Sequence, residues 1–176
     1  KNLIGKSTEK DIWNRHVLDS AQIVKFIDFY EGNGVADLGT GAGFPGIILA
    51  IFNPNYTFHV KLYEKSTIKC NFLRYCINKL NLNAEVHEVN IMNVKIASNL
   101  IVCRAFKKIP ELLKISRENA NKTHKMIVLK GKNAEKEVKK ASIKEKIVYK
   151  LANSITETDS KILIIEKDTK QRWISD

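Results

Sequence analysis

The sequence predicts an α/β protein with a mostly parallel, doubly wound seven-stranded sheet and helices on both faces. Three observations predict it. Short apolar strand-like segments alternate with segments of helical period, and a glycine-rich turn follows the first strand. The last two strand segments have no helix between them, which predicts an antiparallel hairpin at one edge.

Each element has a local reason. Thr8 is placed to cap a helix that sets Trp13, Val17, Ala21 and Val24 on one face, and Gly32–Gly34 is placed to end it. Residues 35–38 form a short apolar strand. The glycine-rich turn leads into an apolar helix over 45–52, stopped by Asn53-Pro54-Asn55. Phe58, Val60 and Leu62 alternate with His59 and Lys61, a strand signal. Ser66 is placed to cap a helix whose Ile68, Phe72, Leu73, Tyr75, Cys76 and Leu80 make a broad apolar face. Strands over 85–89 and 100–103, a helix over 109–118, a strand over 126–129 and a polar helix over 134–140 follow. Strands over 146–151 and 161–166 make the closing hairpin. The 176 residues suit one domain, with a helical segment over 1–31 and a core over 32–176.

Composition narrows the function classes. The chain is 44% hydrophobic, too apolar for a disordered tail, and too short for a second large catalytic domain. Thirty Lys and Arg against 19 Asp and Glu give a formal charge of +11, which suits nucleic acid or an anionic membrane surface. The longest apolar runs, such as 47–52, fall far short of the roughly 20 residues that span a bilayer. No signal-peptide pattern is read in the chain's first residues. The odd cysteine count (Cys70, Cys76, Cys103), with no CxxC, fits thiols in a reducing cytoplasm. His16, His59, His87 and His124 are scattered, so no metal site is expected.

The most informative stretch is Asp37-Leu38-Gly39-Thr40-Gly41-Ala42-Gly43-Phe44-Pro45-Gly46. It lies where a strand ends and a helix begins, at the ligand crevice of an open α/β sheet. Gly41, Gly43 and Gly46 satisfy a dinucleotide-binding spacing. Asp37 would repel a pyrophosphate, Pro45 removes an N–H from a phosphate cradle, and no substrate domain remains for hydride transfer. The pattern suits S-adenosylmethionine better, with its sulfonium, ammonium and carboxylate. Asp37 is placed to bind the ammonium directly or through water, and the loop amides to take the carboxylate. Glu64, 21 residues after Gly43, is placed to accept from ribose hydroxyls. The bland alternative is a plain αβ turn with two acids.

These residues resemble the signature of the bacterial 16S ribosomal RNA guanine-N7 methyltransferases, the RsmG family, also called glucose-inhibited division protein B. The Phe44-Pro45-Gly46 tail separates the loop from those of generic methyltransferases. Three further blocks are similar and in the family's order: Arg15-His16-Val17-Leu18-Asp19-Ser20, Cys103-Arg104-Ala105-Phe106 and Leu129-Lys130-Gly131-Lys132. The resemblance implies a class I S-adenosylmethionine-dependent methyltransferase (Rossmann-like) fold and methylation of N7 of one guanine in 16S ribosomal RNA. It implies a cytoplasmic protein, expected to be a monomer, with 16S ribosomal RNA or the small subunit as partner and no membrane. Gly39, Phe44 and Arg104 match family cofactor contacts. Where the family often has Arg-Ala-Glu near the adenine, this chain has Asn90-Ile91-Met92, and Ile91 and Met92 take the flanking places. The family carries helices upstream of Asn2-Leu3, and this chain is expected to lack them.

The expected cofactor set is therefore Asp37, Gly39, Gly41, Gly43, Phe44, Glu64, Ile91, Met92 and Arg104. Arg15, His16 and Arg104 are the substrate-side candidates. Without the resemblance, Arg15 and His16 read as a solvated helix face, and Arg104 as a structural partner of a carboxylate such as Asp37. Guanine N7 is a lone-pair nucleophile, so alignment matters more than a general base. Lys107, Lys108, Lys130 and Lys132 are candidate RNA contacts, the last two alternatively a strand-end turn. Residues 120–150 carry ten lysines and three acids, a stretch able to track phosphates or simply to keep the protein soluble. A non-catalytic RNA- or ribosome-binding protein on a nucleotide-binding fold is the alternative function.

Overall fold

The computed structural model describes residues 3–120, 124–144 and 147–167. Lys122, Glu145 and Lys146 of the basic stretch lie outside these. Seven strands form one sheet: β1 (Gly34–Leu38), β2 (His59–Glu64), β3 (Ala84–Glu88), β4 (Leu100–Arg104), β5 (His124–Lys130), β6 (Val148–Asn153) and β7 (Lys161–Lys167). Their order is β3-β2-β1-β4-β5-β7-β6. All pairings are parallel except β5–β7 and β6–β7, so the expected antiparallel edge hairpin is present.

Period-two alternation divides the core between the two sheet faces. Ala36, Leu38, Ile101, Cys103, Met126 and Val128 pack with Leu112 and Leu113 of α4 (Ile109–Asn119) and Val138 of α5 (Ala134–Lys144). Val35, Leu62, Val102, Ile127 and Leu129 pack with Leu49 of α2 (Gly46–Phe52), Leu73 of α3 (Thr67–Leu80) and Ile23. Helices thus cover both faces, as expected. The α3 face is narrower than its sequence suggests: Ile68, Tyr75 and Leu80 are exposed, while Cys70 and Leu73 are buried.

The N-terminal segment departs most from expectation. It is not one α-helix but a 3-10 turn (Lys6–Asp11), a π-helical turn (Trp13–Leu18), α1 (Asp19–Ala21) and a second 3-10 turn (Val24–Phe26). Trp13, at the head of the π turn, is 76% exposed, and after the turn's shift of helical phase His16, Ser20, Gln22 and Ile23 are the buried residues. Thr8 sits inside the first turn, its hydroxyl donating to the Gly5 carbonyl. The helical run ends at Phe26, before the glycines.

Between β1 and β4 the chain order of the sheet reverses. Both strands point their C-terminal ends to the same edge, where an open α/β sheet forms its ligand crevice.

Candidate functional site

The glycine turn leaves β1 at that edge. Gly39, Gly41 and Gly43 have φ of +68°, +63° and +98°, a region that other residues enter only at a cost. The turn is pinned to β2, since Gly39 N–H and Thr40 N–H donate to the Tyr63 carbonyl at 2.9 and 3.1 Å. Gly41 N–H donates to Glu64 Oε2 at 3.1 Å. Gly43 and Phe44 N–H donate to the Thr40 carbonyl. These loop amides are therefore spent on the turn itself rather than held out for a ligand carboxylate.

Asp37 lies beneath the turn and is fully buried. Its Oδ2 accepts the Thr40 hydroxyl at 2.6 Å and Gly46 N–H at 2.8 Å. Its Oδ1 is buried with no protein partner among the described residues. Burial pushes its pKa up to about 6, against the lowering effect of the Thr40 and Gly46 hydrogen bonds. An acid kept buried with one unpaired oxygen suits a site that receives a cation. Glu64 ends β2, where Oε1 accepts Lys65 N–H at 2.8 Å and Ser66 N–H at 2.9 Å. Glu64 thus holds the two amides just before α3, and the Ser66 side chain makes no capping hydrogen bond. A carboxylate has about four lone-pair sites, so with three taken it keeps room for one more donor.

Ile91 and Met92 follow β3 on a 3-10 turn, the first buried and the second half exposed. Phe106 also belongs here. A Cβ on Gly39 would stand 2.2 Å from its ring, so the ring lies directly against the glycine. Ala105, at φ +48°, turns the chain that carries it. The buried acid with an open oxygen and the glycine backbone suit S-adenosylmethionine.

Arg104 ends β4 and meets the N-terminal run, not Asp37. Its Nη1 donates to the Arg15 carbonyl at 2.7 Å and to Asp19 Oδ2 at 3.3 Å, and its Nη2 reaches His16 Nδ1 at 2.6 Å. Phe44 joins them, with the His16 ring stacked on it at 5.2 Å and the guanidinium 5.4 Å from its centroid. The sequence-predicted Arg15, His16, Phe44 and Arg104 are therefore brought together. The loop between β6 and β7 docks on the same run. Thr156 hydroxyl donates to Asp19 Oδ1 at 2.8 Å, Gln22 Nε2 to Ser154 Oγ at 3.1 Å, and Arg15 pairs with Glu157 at 3.1 Å.

Arg15, His16, Asp19, Gln22, Arg104 and Thr156 line a cavity of about 420 Å³, together with the apolar Ala105, Leu129 and Ile162. Arg104 is the member of the expected cofactor set that lines it. Lys130 and Lys132 line it too, but Lys130 is committed to Glu137 at 2.8 Å and to the Lys107 carbonyl at 3.2 Å. Lys132 is exposed at the rim. Lys107 pairs with Glu111, and Lys108 is exposed at the start of α4. Asp19, Gln22, Phe106, Thr156 and Glu157 are absent from the sequence-derived set. Asp19 and Phe106 stand inside two of the family-like blocks, whereas no local pattern marks the β6–β7 loop. Among the described residues no His, Cys, Asp or Glu cluster could hold a metal, and Cys70 and Cys103 are buried with their thiol pKa values raised by burial.

Comparison with known proteins bears on this arrangement. The family described as rRNA small subunit methyltransferase G matches residues 1–166. "Ribosomal RNA small subunit methyltransferase G" of Pelagibacter ubique is 40% identical over 175 residues, covering 97% of this chain and 82% of that protein. The protein of the same name from Rickettsia bellii is 35% identical over 169 residues, covering 96% and 85%. Among solved structures, a SAM-dependent methyltransferase from Aquifex aeolicus superposes with a TM-score of 0.69 at 17% identity, covering 92% of this chain and 94% of that one. A putative S-adenosyl-L-methionine-dependent methyltransferase from Methanococcus maripaludis gives 0.64 at 17% identity, covering 96% and 92%. These two likenesses are of fold.

Proposed function

The chain belongs to the rRNA small subunit methyltransferase G family, and from that premise we propose that it methylates N7 of a guanine in 16S ribosomal RNA with S-adenosylmethionine as donor. The observation that carries the reading is the fully buried Asp37, one oxygen open, beneath a glycine turn at the switch point of the sheet. When bound, the cofactor supplies a methyl group made electrophilic by a sulfonium. Asp37 holds the ammonium, Glu64 a ribose hydroxyl, and Ile91 and Met92 flank the adenine. Gly39 and Gly43 let the turn pack against Phe106 and against Ile47 and Leu73, Gly41 leaves the ligand side open, and Phe44 and Arg104 close the side toward the cavity.

The guanine enters the cavity next to Arg104. N7 carries a lone pair and no proton, so no base is needed for the attack. The protein's task is to align the base and exclude water. The polar walls formed by Arg15, Asp19, Gln22 and Thr156 orient it, and the cations at the rim hold the phosphates. Lys132, Lys107 and Lys108, with the exposed lysines of α5, supply that charge. Lys130 keeps α5 in place through Glu137. The segments 1–31 and 32–176 work as one domain, as a cytoplasmic monomer.

The test is direct. Titration with S-adenosylmethionine is expected to saturate in the micromolar range. Small subunits lacking the modification are then incubated with protein and cofactor, and N7-methylguanine is mapped by chemical strand cleavage. Cofactor binding without any new cleavage site refutes the transfer; no cofactor binding leaves the non-catalytic RNA-binding alternative.

A further inference from the structure

His16 is 8% exposed, and its hydrogen bonds have a direction that chemistry dictates. A guanidinium carries five N–H donors and no acceptor. Arg104 Nη2, 2.6 Å from His16 Nδ1, must therefore donate, and Nδ1 must offer a lone pair. The ring proton is then on Nε2, which donates to Thr8 Oγ1 at 2.8 Å. The Thr8 hydroxyl in turn donates to the Gly5 carbonyl at 2.8 Å. Every donor in this chain meets an acceptor only when the imidazole is neutral. A proton on Nδ1 would set two donors face to face and a cation against the guanidinium.

We propose that His16 is a positioning residue for methyl transfer: its neutral imidazole fixes the Arg104 fork against the N-terminal run, and protonation releases it. With Nη1 donating to the Arg15 carbonyl and to Asp19, the fork keeps Nε–H and one Nη2–H for the reacting partners. The inference rests on the reading of Arg104 as a site arginine.

The charged groups around His16 favour the neutral form on balance. Burial acts most strongly, followed by Arg104 from β4; Asp19 opposes them, Arg15 adds to them, and Asp11 opposes weakly. The loop after β1 contributes only the Phe44 ring, and the β6–β7 loop brings Glu157, which is paired with Arg15. The net effect lowers the pKa of His16 below its ordinary 6.5.

The experiment joins spectroscopy to kinetics. Protein carrying 15N-labelled histidine is titrated by NMR from pH 5 to 8. His16 is expected as the Nε2–H tautomer, titrating below the ordinary histidine value. Methylation of unmodified small subunits is then followed across the same range at saturating S-adenosylmethionine, which removes effects of Asp37 on cofactor affinity. Wild-type kcat is expected to fall about tenfold per pH unit below the His16 transition. His16→Asn places a non-titrating acceptor near the Nδ1 position. It is expected to stay within about threefold of wild type at pH 7.5 and to lose the acid limb, whereas His16→Ala falls at least about tenfold at every pH. A resonance pattern of the Nδ1–H tautomer, titration at or above the ordinary value, or an unchanged acid limb in His16→Asn overturns the proposal. Wild-type protein that transfers no methyl group takes down the functional reading, and this inference with it; a contrary NMR result takes down this inference alone.

Discussion

Replacing Asp37 with asparagine separates what this acid costs the fold from what it does for the site. The carboxyl is fully buried, and its pKa stands at about 6 against 3.8 for an ordinary aspartate. At about 1.4 kcal/mol per pH unit, a charged Asp37 destabilises the ligand-free fold by up to about 3 kcal/mol at neutral pH. Because the folded-state value is raised, this group favours folding fully below pH 3.8, and that contribution is lost as pH rises through about 6. Asparagine keeps a carbonyl for the Thr40 hydroxyl and Gly46 N–H but carries no charge. The neutral acceptor is the weaker one, and the amide NH2 takes the place of the unpaired Oδ1, which together reduce the gain to about 1–2 kcal/mol. For a chain of this size that corresponds to roughly 2–8 °C in Tm.

Thermal unfolding without ligand, from pH 4.5 to 8, reads the effect. Asp37→Asn is expected to be the more stable protein above pH 6, with the gap closing as pH falls toward 4. Titration with S-adenosylhomocysteine should show the opposite sign, with affinity reduced at least about tenfold, since a buried carboxylate facing an ammonium is worth more than an amide. A variant less stable than wild type at pH 7.5, or a gap independent of pH, refutes the burial argument. Unchanged ligand affinity refutes the role given to Oδ1.

Three further outcomes follow from the geometry. Gly39→Val places a branched side chain at φ +68° against the Phe106 ring, so cofactor binding should be lost in a calorimetric titration while far-UV circular dichroism persists. Combined alanine substitution of Lys132, Lys136, Lys139 and Lys140 should weaken RNA binding and flatten its dependence on log salt by about 0.7–0.9 for each phosphate no longer neutralised, with cofactor affinity unchanged. The Arg15–Glu157 pair is about half exposed on both sides, so Glu157→Gln should shift stability by less than about 1 kcal/mol in urea unfolding.

The sheet was legible because each strand announces itself locally. Residues 100–103 and 126–129 are continuous apolar runs between polar turns, and a parallel strand buried on both faces needs nothing else. The glycine turn was legible because its φ values demand glycine at fixed places. The N-terminal run was not, since helical periodicity presumes one pitch and a single π turn moves every later side chain by part of a turn. The role of Asp37 was half legible. Its place before the glycines marks it as a site acid, but only the fold reveals that one oxygen serves the turn and the other is left open. Asp19 meets Thr156, and Arg15 meets Glu157, across more than 130 positions of sequence, and such pairings leave no local signal.

The N-terminal run also explains how two sites become one. Its buried face is polar where a core helix would be apolar, and His16, Asp19 and Gln22 spend that polarity on β4 and on the β6–β7 loop. Phe44, from the glycine turn, touches both His16 and Arg104. The cofactor turn and the wall of the basic cavity are therefore joined through the same side chains. A buried polar cluster of this kind contributes less to stability than apolar packing of the same volume would, and it fixes orientation instead. Alanine substitution of His16, Asp19 or Phe44 should accordingly lower kcat more than it lowers Tm. The same substitution at Leu112 or Ile101, fully buried in the core on the far face of the sheet, should do the reverse.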